Sequence, residues 1–228
     1  MNNNTMNRSG TSFTESVSSN VAVLECVRYI LSREGSKIPI KQADIKKYLD
    51  ENYGASRNLF KNIITDANNV LKTVYGYKLV QIDAKLAQYI VVLNKPCTNS
   101  LLSTYSNPQD RKLLIAALTH IFMTGAPIKE ENMWQFLYEA ELMEKNDAEK
   151  KKLLTKTFTR QMYLKFTKDR HEIWFFEWGP RAEEELPKIF LLNKMAEAFN
   201  VEPEYWTEQY NKAMGRDNGA GTTEDITE

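Results

Sequence analysis

The chain has 228 residues, 42% of them apolar, which is enough to fill the core of one large domain or two small ones. Its 30 basic and 30 acidic side chains cancel, far from a histone-like charge. The balance is uneven along the chain: residues 1–100 hold 13 Lys and Arg against 8 Asp and Glu, and residues 101–228 hold 17 against 22. A front half near +5 allows a modest nucleic-acid surface there.

The N-terminus is rich in Asn, Ser and Thr and lacks the apolar core of a signal peptide. No apolar run approaches the roughly 18 residues of a membrane span. Cys26 and Cys97 have no metal-ligand neighbours. Together these features predict a soluble protein of a reducing compartment, with Cys26 a small buried hydrophobe.

Residues 1–19 are polar and low in complexity and are expected to be disordered. The block 20–97 opens with a helix over 21–33, with Asn20 as its N-cap. Gly35 ends it, and Pro39 holds Ile38-Pro39-Ile40 extended. A second helix over 42–52 carries Ile45, Tyr48 and Leu49 on one face. A third over 57–74 repeats apolar residues at Leu59, Ile63, Ala67, Val70 and Val74, and Gly76 breaks it. Strands over 77–82 and 86–93 follow, joined by a turn at Asp83-Ala84-Lys85. Three helices and a β-hairpin give the order of a winged-helix domain.

Residues 98–109 read as a linker rich in turn formers. The block 110–200 then repeats the order. Helices are predicted over 110–124, closed by Gly125, over 130–143, and over 153–163 with Thr155 as cap. Ala126-Pro127-Ile128 echoes Ile38-Pro39-Ile40, and strands over 164–168 and 172–178 form the second hairpin. The strand Ile173-Trp174-Phe175-Phe176-Glu177-Trp178 must bury at least one face, and Gly179-Pro180 forces a turn after it. A last helix covers 187–199, a C-terminal extension 201–214, and a loose acidic tail 215–228. The fold class is therefore α+β, mainly helical, with two tandem winged-helix domains.

Ordered motifs run through the chain. They are Lys37-Ile38-Pro39-Ile40-Lys41-x-Ala43-Asp44-Ile45, Val74-Tyr75-Gly76-Tyr77-Lys78-Leu79-Val80, Ile121-Phe122-Met123-x-Gly125, Lys152-Leu153-Leu154-Thr155, Trp178-Gly179-Pro180-Arg181 and Pro203-x-x-Trp206. This set resembles the melanoma-antigen (MAGE) homology domain over about residues 20–214. The Tyr-Gly-Tyr-Lys-Leu-Val run is most similar to the branch that serves in the SMC five–six chromosome complex. The resemblance implies a non-catalytic subunit of that complex, nuclear and chromosome-associated with some in the cytoplasm. It would hold a RING-type ubiquitin ligase subunit and a kleisin and assist DNA binding in repair and chromosome maintenance. The alternatives are a MAGE adaptor of a ubiquitin ligase outside the SMC complex, and a winged-helix transcription factor.

The residues themselves offer little catalysis. His120 lies on an apolar helix and reads as a core histidine; His171 lies in a hairpin turn and reads as exposed. No phosphate loop, nucleophile elbow or Cys/His metal spacing occurs. Acidic runs such as Glu183-Glu184-Glu185 sit where helices start and favour the macrodipole. No cofactor is expected. Three surfaces are. The first helix is apolar around most of its circle, with only Glu25, Arg28 and Ser32 polar, so a second face needs a cover. The family resemblance makes Ile30-Leu31, with Val27, the grip on a RING partner. The third helix and the wing can meet DNA in winged helices; Arg57 and Lys61 on that helix and Lys85 at the wing tip, with Lys46 and Lys47 of the second helix, predict weak, non-specific binding to duplex. Among the aromatic residues of the second block, Trp134, Phe158 and Phe166 are candidates to line a groove for a kleisin helix.

Overall fold

The structure, a computed structural model, describes residues 9–53, 59–83, 87–95, 107–125 and 127–216. Contacts divide the chain into two compact units, residues 1–97 with 160–163, and 98–159 with 164–228.

The first unit runs α1 (Ser9–Glu34), β1 (Ile40–Lys41), α2 (Gln42–Tyr53), α3 (Phe60–Val70), β2 (Tyr77–Asp83) and β3 (Gln88–Leu93). The sheet order is β1-β3-β2, all antiparallel, with Ile40 opposite Tyr89 and Leu79 opposite Val91. The second unit repeats this as α4 (Pro108–Thr124), β4 (Ile128–Lys129), α5 (Glu130–Glu139), α6 (Ala148–Lys152), β5 (Leu164–Lys168) and β6 (Trp174–Trp178). Its sheet order is β4-β6-β5, with Ile128 opposite Phe176. The match reaches single residues. Pro-Ile-Lys opens the short first strand in both units, and its Ile is buried in both. The chain is thus α+β with two winged-helix topologies in tandem.

The unit 1 core gathers Val23, Cys26, Val27 and Ile30 of α1, Ile45 and Leu49 of α2, Phe60, Ile63 and Ala67 of α3, Leu71, and Leu79, Tyr89 and Val91 of the sheet. Cys26 is fully buried, and that burial pushes its thiol up to about 12. It is a packing residue in its reduced form.

Several local expectations are corrected. The first helix begins at Ser9, not at residue 21, so the segment expected to be disordered is helical from there and Asn20 is interior. Between Thr11 and Glu34 the chain has neither Gly nor Pro, and a polar composition alone does not stop a helix. The third helix continues past Val70 as a π-helical turn, Leu71–Tyr75, closed by Gly76 in the left-handed region (φ 71°). The wider turn changes the phase of the face. Leu71 is buried while Val74 is 68% exposed, and Leu59, ahead of the first helical turn, is also exposed. The expected start at Arg57 and the tip Ala84-Lys85 lie outside the described residues.

In unit 2 the helix over 110–124 starts at Pro108. Asn107, read as linker, is its N-cap and accepts the Gln109 N–H at 3.0 Å. The helix after β4 stops at Glu139 instead of 143. The third helix starts at Ala148, with Asp147 rather than Thr155 as cap. Asp147 accepts the Lys150 N–H at 2.9 Å, and that bond holds its carboxyl below the usual range. Thr155 is interior and donates to the Lys151 carbonyl at 2.8 Å. The helix then runs on as a second π-helical turn, Leu153–Phe158. Gly179-Pro180 does more than turn the chain, because Pro180 opens α7 (Pro180–Glu185) behind Gly179 as cap. Pro187 is the N-cap of α8 (Lys188–Phe199), not part of it. A 3-10 turn (Pro203–Tyr205) and α9 (Thr207–Ala213) complete the described chain.

Candidate interaction surfaces

The first helix separates its apolar residues by depth. Val27 is 2% exposed and Ile30 0%. Both belong to the unit's own core, so the expectation that they form the outward face is corrected. They fall on the arc that α2 and α3 cover. Leu31 is half-buried at the edge of that core. What lies open is Leu24, 60% exposed, and Val21, 43% exposed. Val21, Leu24, Arg28 and Leu31 recur at spacings of three and four, so they share one stripe. Arg28 is held by Glu25 at 3.1 Å, and Glu25 also accepts the Tyr48 hydroxyl at 3.2 Å. Tyr48 packs on Tyr29 with ring centroids 4.6 Å apart, and the Arg33 guanidinium lies 3.7 Å from the Tyr29 ring. The stripe therefore sits beside a braced polar edge.

Of the five basic candidates, Arg57 and Lys85 lie outside the described residues. Lys46 lies on α2 and Lys61 on α3. The Lys46 ammonium is 4.9 Å from the ring of Phe60, the residue preceding Lys61, and both lysines are solvent-facing. Lys47 is exposed one residue along, 3.8 Å from Glu51. An exposed pair of that length contributes little and leaves the lysine available.

The aromatic residues of unit 2 divide in the same way. Phe158 and Phe176 are buried. Phe158 therefore offers no surface, which corrects its place among groove residues; it is the last residue of the π-helical turn and faces inward. Trp134 is half-buried, with its Nε1–H donated to Glu130 at 3.2 Å and its ring edge-on to Phe176 at 5.4 Å. Phe166 is half-buried between Phe176 (4.6 Å) and Trp174 (4.5 Å, stacked). Trp174 is 38% exposed. These rings form a row from Trp134 through Phe176 and Phe166 to an open end at Trp174. The pleat makes the row: Phe166 is opposite Phe176 and Lys168 opposite Trp174, on one face of the hairpin. Trp178, on the same face, anchors the strand by donating Nε1–H to the Leu118 carbonyl at 2.9 Å.

His120 is half-buried and lies flat on Phe136, 3.9 Å between centroids and 2° between planes. Burial pushes its pKa down. The unfolded chain then takes up a proton more readily than the fold. His120 accordingly contributes stability that is complete above the ordinary value of about 6.5 and is lost as pH falls through the lowered folded value. Melting the His120→Gln variant beside the parent across that window should show a shallower acid loss in the variant. His171 is exposed in the turn that Asp169 organises, where the Asp169 carboxylate accepts the N–H of His171 at 2.8 Å and of Ile173 at 2.9 Å.

Two features escaped the sequence reading. Arg181 of Trp-Gly-Pro-Arg is 1% exposed and paired with Glu185 at 3.0 Å. Glu185 is thus a buried partner, not a solvated dipole charge. The second is the docking of α9 on the end of α4. Gln209 donates to the Met123 carbonyl at 2.8 Å and Lys212 to the Gly125 carbonyl at 3.2 Å. Gly125 is left-handed (φ 79°), and these donors satisfy carbonyls a helix end leaves open.

The two sheets with their helices define a tandem winged-helix protein. Among the described residues, no three or more His, Cys, Asp and Glu side chains are grouped to hold a metal ion. The MAGE homology domain matches residues 26–189, and the chain belongs to that family. It is 32% identical over 201 residues to the Non-structural maintenance of chromosomes element 3 homolog of Homo sapiens, covering 84% of this chain and 65% of the human protein. The Mus musculus homolog is 31% identical, with 71% of its length covered. The chain thus spans about two thirds of these relatives. MAGE-like protein 2 of Homo sapiens is 30% identical over 208 residues, but only 16% of it is covered. Among solved structures, a chain of an "Nse1-Nse3-Nse4 complex" superposes with a TM-score of 0.74 at 30% identity, covering 86% of this chain and 97% of that one.

Proposed function

We propose that this chain is the non-catalytic MAGE subunit of an SMC five–six chromosome-maintenance complex, acting in the nucleus on chromosomes. It binds a RING-type ubiquitin ligase subunit and a kleisin, and it assists DNA binding. The observation that carries this reading is the similarity to a chain of the Nse1-Nse3-Nse4 complex over 97% of that chain's length. The RING subunit is assigned to the stripe Val21, Leu24 and Leu31, where the exposed Val21 and Leu24 run on to the half-buried Leu31 on a braced helix. The kleisin is assigned to the row at Trp134, Phe166 and Trp174, read as anchors for an apolar helix face. Co-expression with the two partners should give a single three-chain species by size exclusion and mass. Separate elution of all three chains would refute it.

The DNA role rests on the exposed Lys46 and Lys47 of α2 and Lys61 of α3, in the basic front half. Duplex affinity measured by anisotropy across a salt series should be weak and insensitive to sequence. Lys46→Ala and Lys61→Ala should each flatten the salt slope by roughly one unit. Unchanged slopes, or no binding at low salt alone and in complex, would remove the DNA role.

A further inference from the structure

The end of unit 2 carries an aromatic surface that none of the three assignments uses. Phe199 closes α8 and is 64% exposed; Tyr205, on the 3-10 turn, is 72% exposed. Both meet Trp206 edge-on, at 5.9 Å and 5.3 Å. Three rings on a surface, two of them this open, need a reason.

The platform beneath them is fixed. Asn200 takes the left-handed conformation (φ 52°) that ends α8, and Pro203 opens the 3-10 turn. Gln209 and Lys212 clamp the following helix to the end of α4. The rings are held for contact, not left on a loose tail.

The charge around them selects the occupant. Residues 195–211 contain four Glu and no Lys or Arg. Glu197 and Glu208 are paired with Lys194 and Lys212. Glu202 and Glu204 flank the rings and are exposed. An acidic rim repels DNA. It also repels the chain's own tail, which carries Asp217, Glu224, Asp225 and Glu228 and a single large aliphatic residue, Ile226. Ring faces beside free carboxylates favour an apolar segment that carries Arg or Lys, through stacking of the cation on Tyr or Trp and pairing at the rim.

We infer that Phe199, Tyr205 and Trp206, with Glu202 and Glu204, form a docking site for a basic, apolar-rich segment of another protein. None of its residues belongs to the RING, kleisin or DNA surfaces assigned above.

The probe is an amphipathic Leu/Ala/Arg peptide, compared with the same peptide carrying Glu in place of Arg. Both are titrated against the whole chain, labelled with nitrogen-15, and the indole resonance of Trp206 is followed. The basic peptide should shift that resonance and the acidic one should not. Tyr205→Ser should weaken binding about tenfold. The double variant Glu202→Lys, Glu204→Lys should lose the basic peptide and gain the acidic one. Neither variant touches a buried residue, and unchanged melting curves confirm the fold. Equal binding of the two peptides, shifts confined to another surface, or unchanged affinity in both variants would overturn the inference.

Discussion

Arg181→Ala is expected to destabilise the protein by about 3–5 kcal/mol. Arg181 and Glu185 are 1% and 8% exposed and 3.0 Å apart, one turn from each other in the short helix that follows β6. Removing the guanidinium takes this counter-ion away from a largely buried carboxylate, and that penalty, more than the lost attraction, sets the size of the effect. An apolar replacement of both partners, Arg181→Met with Glu185→Leu, removes the orphaned charge and should recover much of the loss. Urea unfolding of the parent and the two variants measures this directly. A loss under about 1 kcal/mol for the single variant would show that the charge finds water, and that burial at this site is not maintained.

The second large effect separates the two kinds of apolar residue on α1. Ile30→Ala should cost about 2–5 kcal/mol, since a fully buried side chain leaves a cavity in the core it shares with Cys26, Ile45 and Ile63. Leu24→Glu, at a position 60% exposed, should stay within about 0.5 kcal/mol of the parent. It should nevertheless abolish co-elution with the RING subunit, because it places a charge in the centre of the proposed contact. Denaturation curves and size exclusion on the same preparations give both readouts. A stable Ile30→Ala variant would contradict the core assignment; a Leu24→Glu variant that still holds the RING subunit would contradict the surface assignment.

The topology was legible because it is written twice. Pro39-Ile40-Lys41 and Pro127-Ile128-Lys129 mark the same strand in each unit, and Gly76 and Gly125 sit at left-handed helix ends. The hairpin Leu164–Lys168 with Trp174–Trp178 follows from its aromatic alternation. Depth on α1 was not legible, because a segment apolar around most of its circle gives little to say which arc the neighbours take; only packing decides that Ile30 goes in and Leu24 stays out. The π-helical turns also escaped, since a single inserted residue shifts the phase without any change of composition. Arg181 escaped for a different reason. An arginine in a surface-like Pro-Arg-Ala-Glu-Glu-Glu run carries no local sign that its carboxylate partner, four residues on, is buried with it. At the candidate surfaces, depth was the illegible part: sequence did not say which side chains of each element lie open and which lie in the core.

Membership in an SMC five–six assembly is tested by affinity purification of the tagged chain from its own cells, followed by quantitative mass spectrometry. A RING-type ligase subunit, a kleisin and two SMC subunits should be recovered in amounts comparable to the chain itself, and retained when nuclease has removed DNA. Recovery of a ligase without kleisin or SMC subunits would contradict it and assign the chain to a free-standing ligase adaptor.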